Sequence, residues 1–521
     1  MILPETGPDL VARFLRDAAH YPGGHAVGVV RPRSVADVSD VVRHAAAHKG
    51  PPFWHILTVG AQSSLTGGAT PLGDLVLSTE WLTSLRIEGE TIRAGAGVTL
   101  QAIQDALATV GRWLPPVPTY LGATAGGAVA TCAAGAATFK YGTVRSWVHG
   151  ITVILASGEV LALERGQRRA SELIAVPALR MPDVPKSSAG YFMADGMDLV
   201  DLFIGSEGTL GIVAEVVFRT AAQPAARCHA LVPVADESAG IQLVADLREA
   251  ARQTWRNDDP LGIDISAIEH IDARSMAIVR EDGADRKLDL TLPSGAGIVL
   301  LVEIELSNAV ASAELWSQLE TARDADGVDS PLRRFCTLLD RHGALDDAEI
   351  ALPDDQTRAA AFAELREAVP AGVNRRVALA QQQIDPGIYK TAADMIVPFE
   401  RFGEMMRTCR QLFAERGLDL AVWGHISDGN VHPNVLAKSA DEVKLGQEAI
   451  LALGDAVIAM GGSPLAEHGV GRNQVKQELL RRLYGSAGID AMRAIKRSLD
   501  PHGVLAPGVV FPRQSGPATP A

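Results

Sequence analysis

The sequence predicts an α+β protein with more than one domain, and three observations lead to this prediction. Strand and helix signals alternate from residue 27 to residue 110. A long run of Gly, Ala and Thr then occupies residues 113–139. Beyond Pro224, amphipathic helices interleave with apolar strands such as residues 297–306. A chain of 521 residues exceeds the roughly 100–200 residues typical of one domain. The change in sequence pattern near Pro224 is therefore interpreted as a domain boundary.

Composition excludes several functional classes. The net charge of −14 argues against nucleic-acid or anionic-membrane binding through bulk charge. Four cysteines without a CxxC pair exclude a zinc ribbon or an iron–sulfur site. Charges and prolines in the first 20 residues are unlike a signal peptide. The run 113–139 is too rich in Gly, Ala and Pro for a transmembrane helix. We therefore expect a cytoplasmic protein, with peripheral membrane association left open.

The first half of the chain is predicted element by element from its periodicity. Residues 26–30 form a strand, and Ser34 with Asp37 resembles a capping box that starts a helix reaching His48. Strands at 55–59, 75–79 and 91–96 follow, and Thr99 is a candidate N-cap for the next helix. Residues 150–163 read as two strands joined by a Ser-Gly turn.

Three segments rich in small residues share one kind of chemistry: residues 60–68, 122–142 and 205–213. Glycine and alanine let a ligand approach the backbone closely, and exposed N–H groups bind anions. A cofactor containing a pyrophosphate suits such segments. None of them is a GxGxxG between a strand and a helix, nor a GxxxxGK[ST], so Rossmann and P-loop interpretations fail. For any one segment alone, a surface loop without a ligand remains the simpler interpretation.

In their order and spacing, the three segments resemble the FAD domain of the vanillyl-alcohol-oxidase/para-cresol-methylhydroxylase flavoprotein family. The resemblance covers residues 25–220 and reappears at 495–511. It implies a two-subdomain FAD-binding domain at 1–223, an α+β substrate (cap) domain with an antiparallel sheet at 224–494, a segment 495–512 returning to the FAD domain, and a flexible tail at 513–521. The implied FAD contacts are Gly60, Ala61, Gln62, Ser63, Ser64, Thr66, Pro118, Ala123, Thr124, Gly127, Thr131, Gly135, Ala137, Tyr141, Gly142, Glu207, Gly211 and Ile212.

Attachment of the flavin is expected to be non-covalent. Some members of the resembled family use His or Cys for a covalent link, and Cys132 and His149 are the nearest candidates by position. A small buried thiol and an ordinary loop histidine are the simpler interpretations of these two residues. The family often has Asn where this chain has Cys132.

A second signal is a pair of histidines around Asp428-Gly429, a dipeptide typical of hairpin turns. Counting outward from a two-residue turn places His425 opposite His432. Directly opposed residues share one face of a hairpin, with Cβ atoms about 4.5–5.5 Å apart. Such a pair suits one metal ion, although a lone histidine is more often structural.

A third signal is the adjacent pair Glu467 and His468, bounded by Gly469 and Gly471. In an extended segment the two side chains would point to opposite faces. One could then complete a His/His/Glu metal site while the other faces a substrate. A solvated Glu-His pair in a loop is the alternative. Two imidazoles and one carboxylate leave coordination positions open, as catalytic metal sites do.

These two segments resemble the GHxGDGNxHxN and GEHGxG motifs of the FAD-dependent D-2-hydroxyacid dehydrogenases. That branch includes D-lactate dehydrogenases, D-2-hydroxyglutarate dehydrogenase and the flavin subunit of glycolate oxidase. The resemblance implies His425, His432 and Glu467 as ligands of a divalent metal (Zn, Mn or Fe), His468 as the catalytic base and Asn434 as a contact of the substrate carboxylate. The chain departs from the motifs at Ser427 and Ala466, where Gly is usual.

Residues 365–377 also resemble this branch, and Arg366 stands where an arginine grips the substrate carboxylate. A bidentate guanidinium–carboxylate pair is the physics expected there; an exposed helix arginine is the alternative. The branch often has a lysine two residues before the Asp of a KxD segment. Here Ala392 occupies that position and Lys390 lies four residues before Asp394, so whether Lys390 contacts substrate stays open.

The resemblance implies oxidation of a D-lactate-like 2-hydroxy acid to the 2-keto acid, with hydride transfer to flavin N5. The main alternative is a metal-independent alcohol or phenol oxidase of the wider family, and another is a flavin-binding subunit without turnover. A quinone, a cytochrome or an electron-transfer flavoprotein would serve as external acceptor, and oxygen is left open. The resemblance leaves the oligomeric state open, with a homodimer as one expectation.

Overall fold

A computed structural model describes residues 3–48, 54–115, 118–293, 295–308, 310–324 and 326–513. The expected tail falls almost entirely outside the described residues. Contacts divide the chain into two units. The first, here called the cofactor unit, comprises residues 1–135, 142–223 and 463–521. The second, called the substrate unit, comprises residues 136–141 and 224–462.

The strands are, in chain order, β1 (His25–Val30), β2 (Ile56–Val59), β3 (Leu72–Ser78), β4 (Leu85–Glu88), β5 (Thr91–Gly95), β6 (Arg112–Trp113), β7 (Val148–Ile154), β8 (Val160–Glu164), β9 (Ile212–Arg219), β10 (Ala221–Ala222), β11 (Ala226–Val234), β12 (Asp264–Asp272), β13 (Ile298–Leu306), β14 (Glu349–Ala351), β15 (Thr391–Ala392), β16 (Met395–Ile396), β17 (Leu420–Gly424) and β18 (Asn430–Val435).

The α-helices are α1 (Pro8–Ala12), α2 (Val35–Ala47), α3 (Leu100–Ala108), α4 (Ala125–Ala130), α5 (Thr138–Tyr141), α6 (Val144–Trp147), α7 (Leu199–Phe203), α8 (Glu237–Asn257), α9 (Ala273–Glu281), α10 (Ala284–Lys287), α11 (Ser312–Glu320), α12 (Pro331–Arg341), α13 (Gln356–Gln383), α14 (Phe402–Ala414), α15 (Ala440–Ala459) and α16 (Gln474–Leu499). Short 3-10 turns occur at Ala170–Glu172, Phe399–Arg401 and Ile426–Asp428.

The cofactor unit contains a parallel sheet in the order β1-β3-β2 and an antiparallel sheet in the order β4-β5-β9-β7-β8. Helix α2 begins where the sequence predicts, because Ser34 Oγ accepts a hydrogen bond from the Asp37 amide. Thr99 caps α3 in the same way, through the Ala102 amide. Valines of α2 pack with Leu75 and Ile212 in one core. Both predicted helix starts are confirmed.

The substrate unit is built on one antiparallel sheet in the order β14-β11-β13-β12-β17-β18-β15, with β16 also paired to β18. Helices α9 and α13 bury Met276, Phe362 and Leu365 against Leu231 and Leu301 of the sheet. The α+β class and the antiparallel sheet of the second domain are confirmed. Among the described residues, no helix is long and apolar enough to cross a membrane.

The return to the cofactor unit comes earlier than predicted. The sequence predicts that residues up to 494 belong to the substrate domain, whereas the structure places 463–494 in the cofactor unit. The Ser188 amide donates to the Leu465 carbonyl (3.0 Å), which holds the chain there. Glu467 and His468 therefore belong to the cofactor unit, and His425 and His432 belong to the substrate unit.

Candidate active site

The first small-residue loop, residues 60–68, follows β2 and is held by residues 17–19. The amides of Ala18 and Ala19 donate to the carbonyls of Gln62 (2.9 Å) and Ser64 (3.1 Å). Buried Asp17 accepts from the Ala69 amide (3.4 Å), and burial raises the pKa of its carboxyl group. No charge pattern marks residues 16–19 as a support, so a single sequence gives no signal for this role.

The same loop presents backbone donors. Gln62 has a φ of +56°, and the amides of Gln62, Ser63 and Ser64 donate to no acceptor within the described part of the chain. Ser64 Oγ accepts from the amides of Thr66 (3.3 Å) and Gly68 (3.1 Å), which fixes the turn. Unpaired amides in a tight loop are a binding site for anionic oxygens. The loop therefore suits the pyrophosphate of FAD.

The second segment forms the short helix α4, capped by Thr124, whose Oγ1 accepts from the Gly127 amide. A Cβ on Gly60 would lie 2.4 Å from Thr124 Oγ1, and one on Gly126 would lie 2.6 Å from Ala96 Cβ. These glycines are thus required by packing within the protein. Cys132 is buried with a φ of +52°, a conformation that Asn tolerates better than most residues. An Asn at this position would therefore fit the same backbone conformation.

The third segment, residues 205–213, contacts the second through Glu207. The parts of the three segments within the cofactor unit, residues 60–68, 122–135 and 205–213, are here called the cradle. The Glu207 amide donates to the Ala130 carbonyl (2.8 Å). Its carboxylate accepts from the amides of Val470 (2.8 Å) and Gly471 (2.9 Å). Burial raises the pKa of Glu207 to about 7, although those two hydrogen bonds oppose the shift. Glu207 therefore ties the cradle to the loop that carries Glu467 and His468.

The structure gathers most of the predicted FAD contacts in the cofactor unit. These are Gly60, Ala61, Gln62, Ser63, Ser64, Thr66, Pro118, Ala123, Thr124, Gly127, Thr131, Gly135, Gly142, Glu207, Gly211 and Ile212. Ala137 and Tyr141 belong to the substrate unit instead. There the Tyr141 hydroxyl donates to Glu305 Oε2 (2.5 Å), and burial raises the pKa of the phenol.

Glu467 and His468 lie in an irregular loop, and the prediction of opposite faces is wrong. His468 Nε2 is 3.6 Å from Glu467 Oε1, so the two side chains lie on the same side. Positive φ angles at Gly469 (+75°) and Gly471 (+58°) bend the backbone out of an extended strand. Fully buried Lys186 donates to Glu467 Oε2 (2.9 Å). Lys186 is 281 positions from Glu467, so no local sequence pattern links the two residues.

The histidine hairpin is real, but its predicted register is wrong. Strands β17 and β18 pair with Trp423 opposite His432, not His425. Residues Ile426–Asp428 form a 3-10 turn, and Gly429 has a φ of +82°, so the connection is wider than two residues. The two imidazole rings nevertheless lie 5.5 Å apart between centroids, at 88° to each other. Both are buried.

Each imidazole has a carboxylate beside its Nδ1 atom. His425 Nδ1 is 2.6 Å from Glu269 Oε1, and His432 Nδ1 is 3.5 Å from Asp394 Oδ1. Metal-binding histidines typically donate their second ring N–H to such a partner, which directs the other nitrogen to the ion. The Nε2 atoms of the two histidines are therefore suitable ligands for a divalent metal ion. A charged residue at a buried position of β12 was the local signal that could have pointed to Glu269, although the strand also contains Asp264 and Asp272.

Arg366, the predicted substrate clamp, contacts the same Glu269. Arg366 Nε is 2.9 Å from Glu269 Oε2. Burial alone would raise the pKa of Glu269, but the charges of Arg366 and His425 outweigh it and lower that pKa to about 2. Glu269 is therefore a carboxylate held between two donors.

Asn434 and Lys390 occupy the region where β15 meets β18. Buried Asn434 donates through Nδ2 to the His432 carbonyl (2.9 Å), and its Oδ1 has no partner among the described residues. An unpaired buried acceptor is costly unless a ligand satisfies it. Ala392, not Lys390, pairs with Asn434. Burial lowers the pKa of Lys390 to about 8.

Unpaired backbone amides, closely packed glycines and an α+β second unit are the features expected of a flavoprotein with two domains. Comparison with known protein families agrees with this class. The FAD binding domain matches residues 26–164, and the C-terminal domain of FAD linked oxidases matches residues 223–510. The chain belongs to the FAD-linked oxidase family and is an FAD-linked oxidoreductase.

Three curated relatives cover nearly the whole chain. Glycolate oxidase subunit GlcD of Bacillus subtilis (strain 168) is 28% identical over 498 positions, covering 94% of this chain and 89% of that protein. D-lactate dehydrogenase of Archaeoglobus fulgidus is 27% identical, covering 92% and 90%. D-2-hydroxyglutarate dehydrogenase of Xanthomonas citri pv. viticola is 28% identical, covering 98% and 95%.

Proposed function

We propose that the chain oxidises a D-2-hydroxy acid of the lactate type to the 2-keto acid. The names of the three relatives support this substrate class. Within the structure, the proposal rests on one observation. Two buried histidines lie side by side, each with a carboxylate at Nδ1, next to a buried asparagine acceptor and an arginine. A metal-independent alcohol oxidase would not need two buried histidines with carboxylate partners.

In the proposed reaction, His425, His432 and Glu467 would hold a divalent ion, and that ion would supply a Lewis acid that lowers the pKa of the substrate hydroxyl group. Arg366 and Asn434 hold the substrate carboxylate and so fix the direction of the Cα–H bond. His468 accepts the hydroxyl proton as the carbonyl bond forms. Bound FAD supplies the acceptor for the hydride that leaves Cα. The external electron acceptor and a homodimer stay predictions of the sequence.

The first test is an anaerobic visible spectrum of the purified protein before and after addition of D-lactate, with L-lactate as the control. Bleaching of the flavin by the D-isomer alone supports the reaction class. A flavin that no D-2-hydroxy acid bleaches would overturn the proposal while leaving the family assignment intact. Metal content measured on the same sample separates the metal-dependent reaction from the metal-independent alternative.

The second test is His468→Ala. Flavin reduction is expected to slow by about 10²–10⁴-fold, because a general base contributes that much to proton transfer. FAD content should stay at the wild-type level, since the cradle does not use the imidazole. Stopped-flow absorbance under anaerobic conditions measures the rate. Reduction at the wild-type rate would remove His468 from the mechanism.

A further inference from the structure

Glu269 occupies an unusual position in the sheet of the substrate unit. It lies in β12, where its neighbours Ile268 and Ile271 are buried. The pairing of Ile271 with Trp423, and of Trp423 with His432, places Glu269 on the sheet face that also carries His432. A carboxylate buried in such a strand is costly unless donors surround it.

The two oxygens of Glu269 serve two different elements. Oε1 accepts from His425 Nδ1 (2.6 Å), in the connection between β17 and β18. Oε2 contacts Arg366 Nε (2.9 Å), on helix α13. Pro370 lies inside that helix four residues after Arg366. Proline has no N–H, so the Arg366 carbonyl lacks its usual helical donor. Glu269 therefore holds Arg366 at a point where the helix itself is weakened.

We propose that Glu269 is a positioning residue that couples metal binding to substrate binding. One oxygen fixes the tautomer of His425 and directs Nε2 to the ion, and the other fixes the guanidinium that receives the substrate carboxylate. The inference rests on the proposed function, because it requires both the metal and the carboxylate substrate. Neither the sequence motifs nor the family match assigns a role to Glu269.

The substitution Glu269→Gln separates this role from simple space filling. Gln has the same shape but presents one acceptor and one donor, whereas its two neighbours are both donors. One of the two contacts must break. We expect metal affinity to fall about 10–100-fold, as for loss of other partners of metal-bound histidines, and KM for the hydroxy acid to rise. FAD retention should not change, which checks that the protein is folded.

Glu367→Gln is the matched control. Glu367 contacts Arg366 as well, through Nη1 (3.0 Å), but its side chain is 56% exposed and makes no contact with His425. The same chemical change should therefore leave metal affinity unaltered. Should Glu269→Gln fail to fold, Glu269→Asp keeps the charge but is shorter by one methylene, so it can reach only one of its two partners. In Glu269→Asp we expect either a lower metal affinity or a higher KM for the hydroxy acid, but not both changes.

The coupling itself is measured by titration calorimetry with Mn²⁺ or Zn²⁺ on four proteins: the wild type, Glu269→Gln, Arg366→Met and the double variant. Arg366→Met should change the metal dissociation constant when residue 269 is Glu and leave it unchanged when residue 269 is Gln. We expect non-additivity of at least about 3-fold. Additive effects, with metal bound by the wild type, would overturn the coupling alone. A wild type that binds no divalent ion would overturn the metal part of the proposed function and this inference with it.

Discussion

The two units prepare their candidate ligand sites by opposite means. The cofactor unit uses backbone amides and glycines, as at Gln62 and Gly126, and its cradle depends on side-chain atoms being absent. The substrate unit uses buried charged side chains on a sheet face, as at Glu269 and Asp394. The first site should therefore be sensitive to added volume and the second to changed charge. An exception to this division is that the cofactor unit also contains buried ion pairs, such as Lys186 with Glu467.

That exception gives the largest expected effect. Lys186→Met should lower the free energy of unfolding by about 3–5 kcal/mol, because it leaves the carboxylate of Glu467 buried without its ammonium partner. Guanidinium unfolding of the FAD-free, metal-free protein, followed by circular dichroism, measures the change. Lys444→Met is the matched control, since Lys444 pairs with Asp441 at an exposed site and should cost less than about 1 kcal/mol. Equal losses in the two variants would contradict the burial argument.

Added volume in the cradle should be the next largest effect. A Cβ on Gly126 would meet Ala96 Cβ at 2.6 Å and the Ala96 carbonyl oxygen at 3.2 Å. Gly126→Val should displace α4 at a cost of about 1–3 kcal/mol. We expect FAD to bind about 10–100-fold more weakly, as measured by flavin fluorescence during titration of the FAD-free protein. At Gly7 a Cβ would meet no atom within 4 Å. Gly7→Val should therefore bind FAD normally, and a comparable loss there would refute the packing explanation.

A changed charge beside His432 tests the expected sensitivity of the substrate unit to charge. Asp394 Oδ1 accepts from Asn430 Nδ2 (3.1 Å) and lies 3.5 Å from His432 Nδ1. Asp394→Asn would remove the negative charge that faces the ring N–H, so metal affinity should fall about 10-fold. FAD affinity should stay the same. Asp441→Asn at an 87% exposed side chain serves as the control. An unchanged metal dissociation constant in Asp394→Asn would show that Asp394 does not orient His432.

A further expected effect is a pH dependence of the stability of the cofactor unit. The pKa of Glu207 is about 7 in the folded protein, against an ordinary value of 4.5. The folded state therefore binds the proton more tightly than the unfolded state, and its stability falls as the pH rises from about 4.5 to 7. Glu207→Gln removes this slope. The difference in unfolding free energy between wild type and variant should decline across that range and be flat above pH 8. A constant difference would mean that Glu207 does not titrate in the window.

The sequence carried most of the local information about this fold. Ser34 and Thr99 identified two helix starts because capping depends on neighbouring residues. The small-residue segments identified the cofactor unit because their composition reflects a backbone requirement. The hairpin register was wrong because Gly429 permits a wider 3-10 connection that Asp428-Gly429 alone does not reveal.

The residues that contact the candidate metal ligands could not be predicted from a single sequence. Glu269 is 156 positions from His425, and Lys186 is 281 positions from Glu467. Periodicity reports which face of an element is buried, but it does not report which distant residue meets that face. A charged residue among buried strand residues, such as Glu269 in β12, is the one local sign of such a partner. The early return at residue 463 was missed for the same reason.

The bridge between Ile56 and Leu505 has a consequence for how the protein is made. These residues are 449 positions apart, and Ile56 N donates to the Val504 carbonyl while Ala506 N donates to the Ile56 carbonyl. During synthesis, the edge of β2 at Ile56 stays unpaired until residues 504–506 have left the ribosome. An open edge invites pairing with other chains. A chain that ends before residue 504 is therefore expected to expose this edge and to aggregate more readily than the full chain.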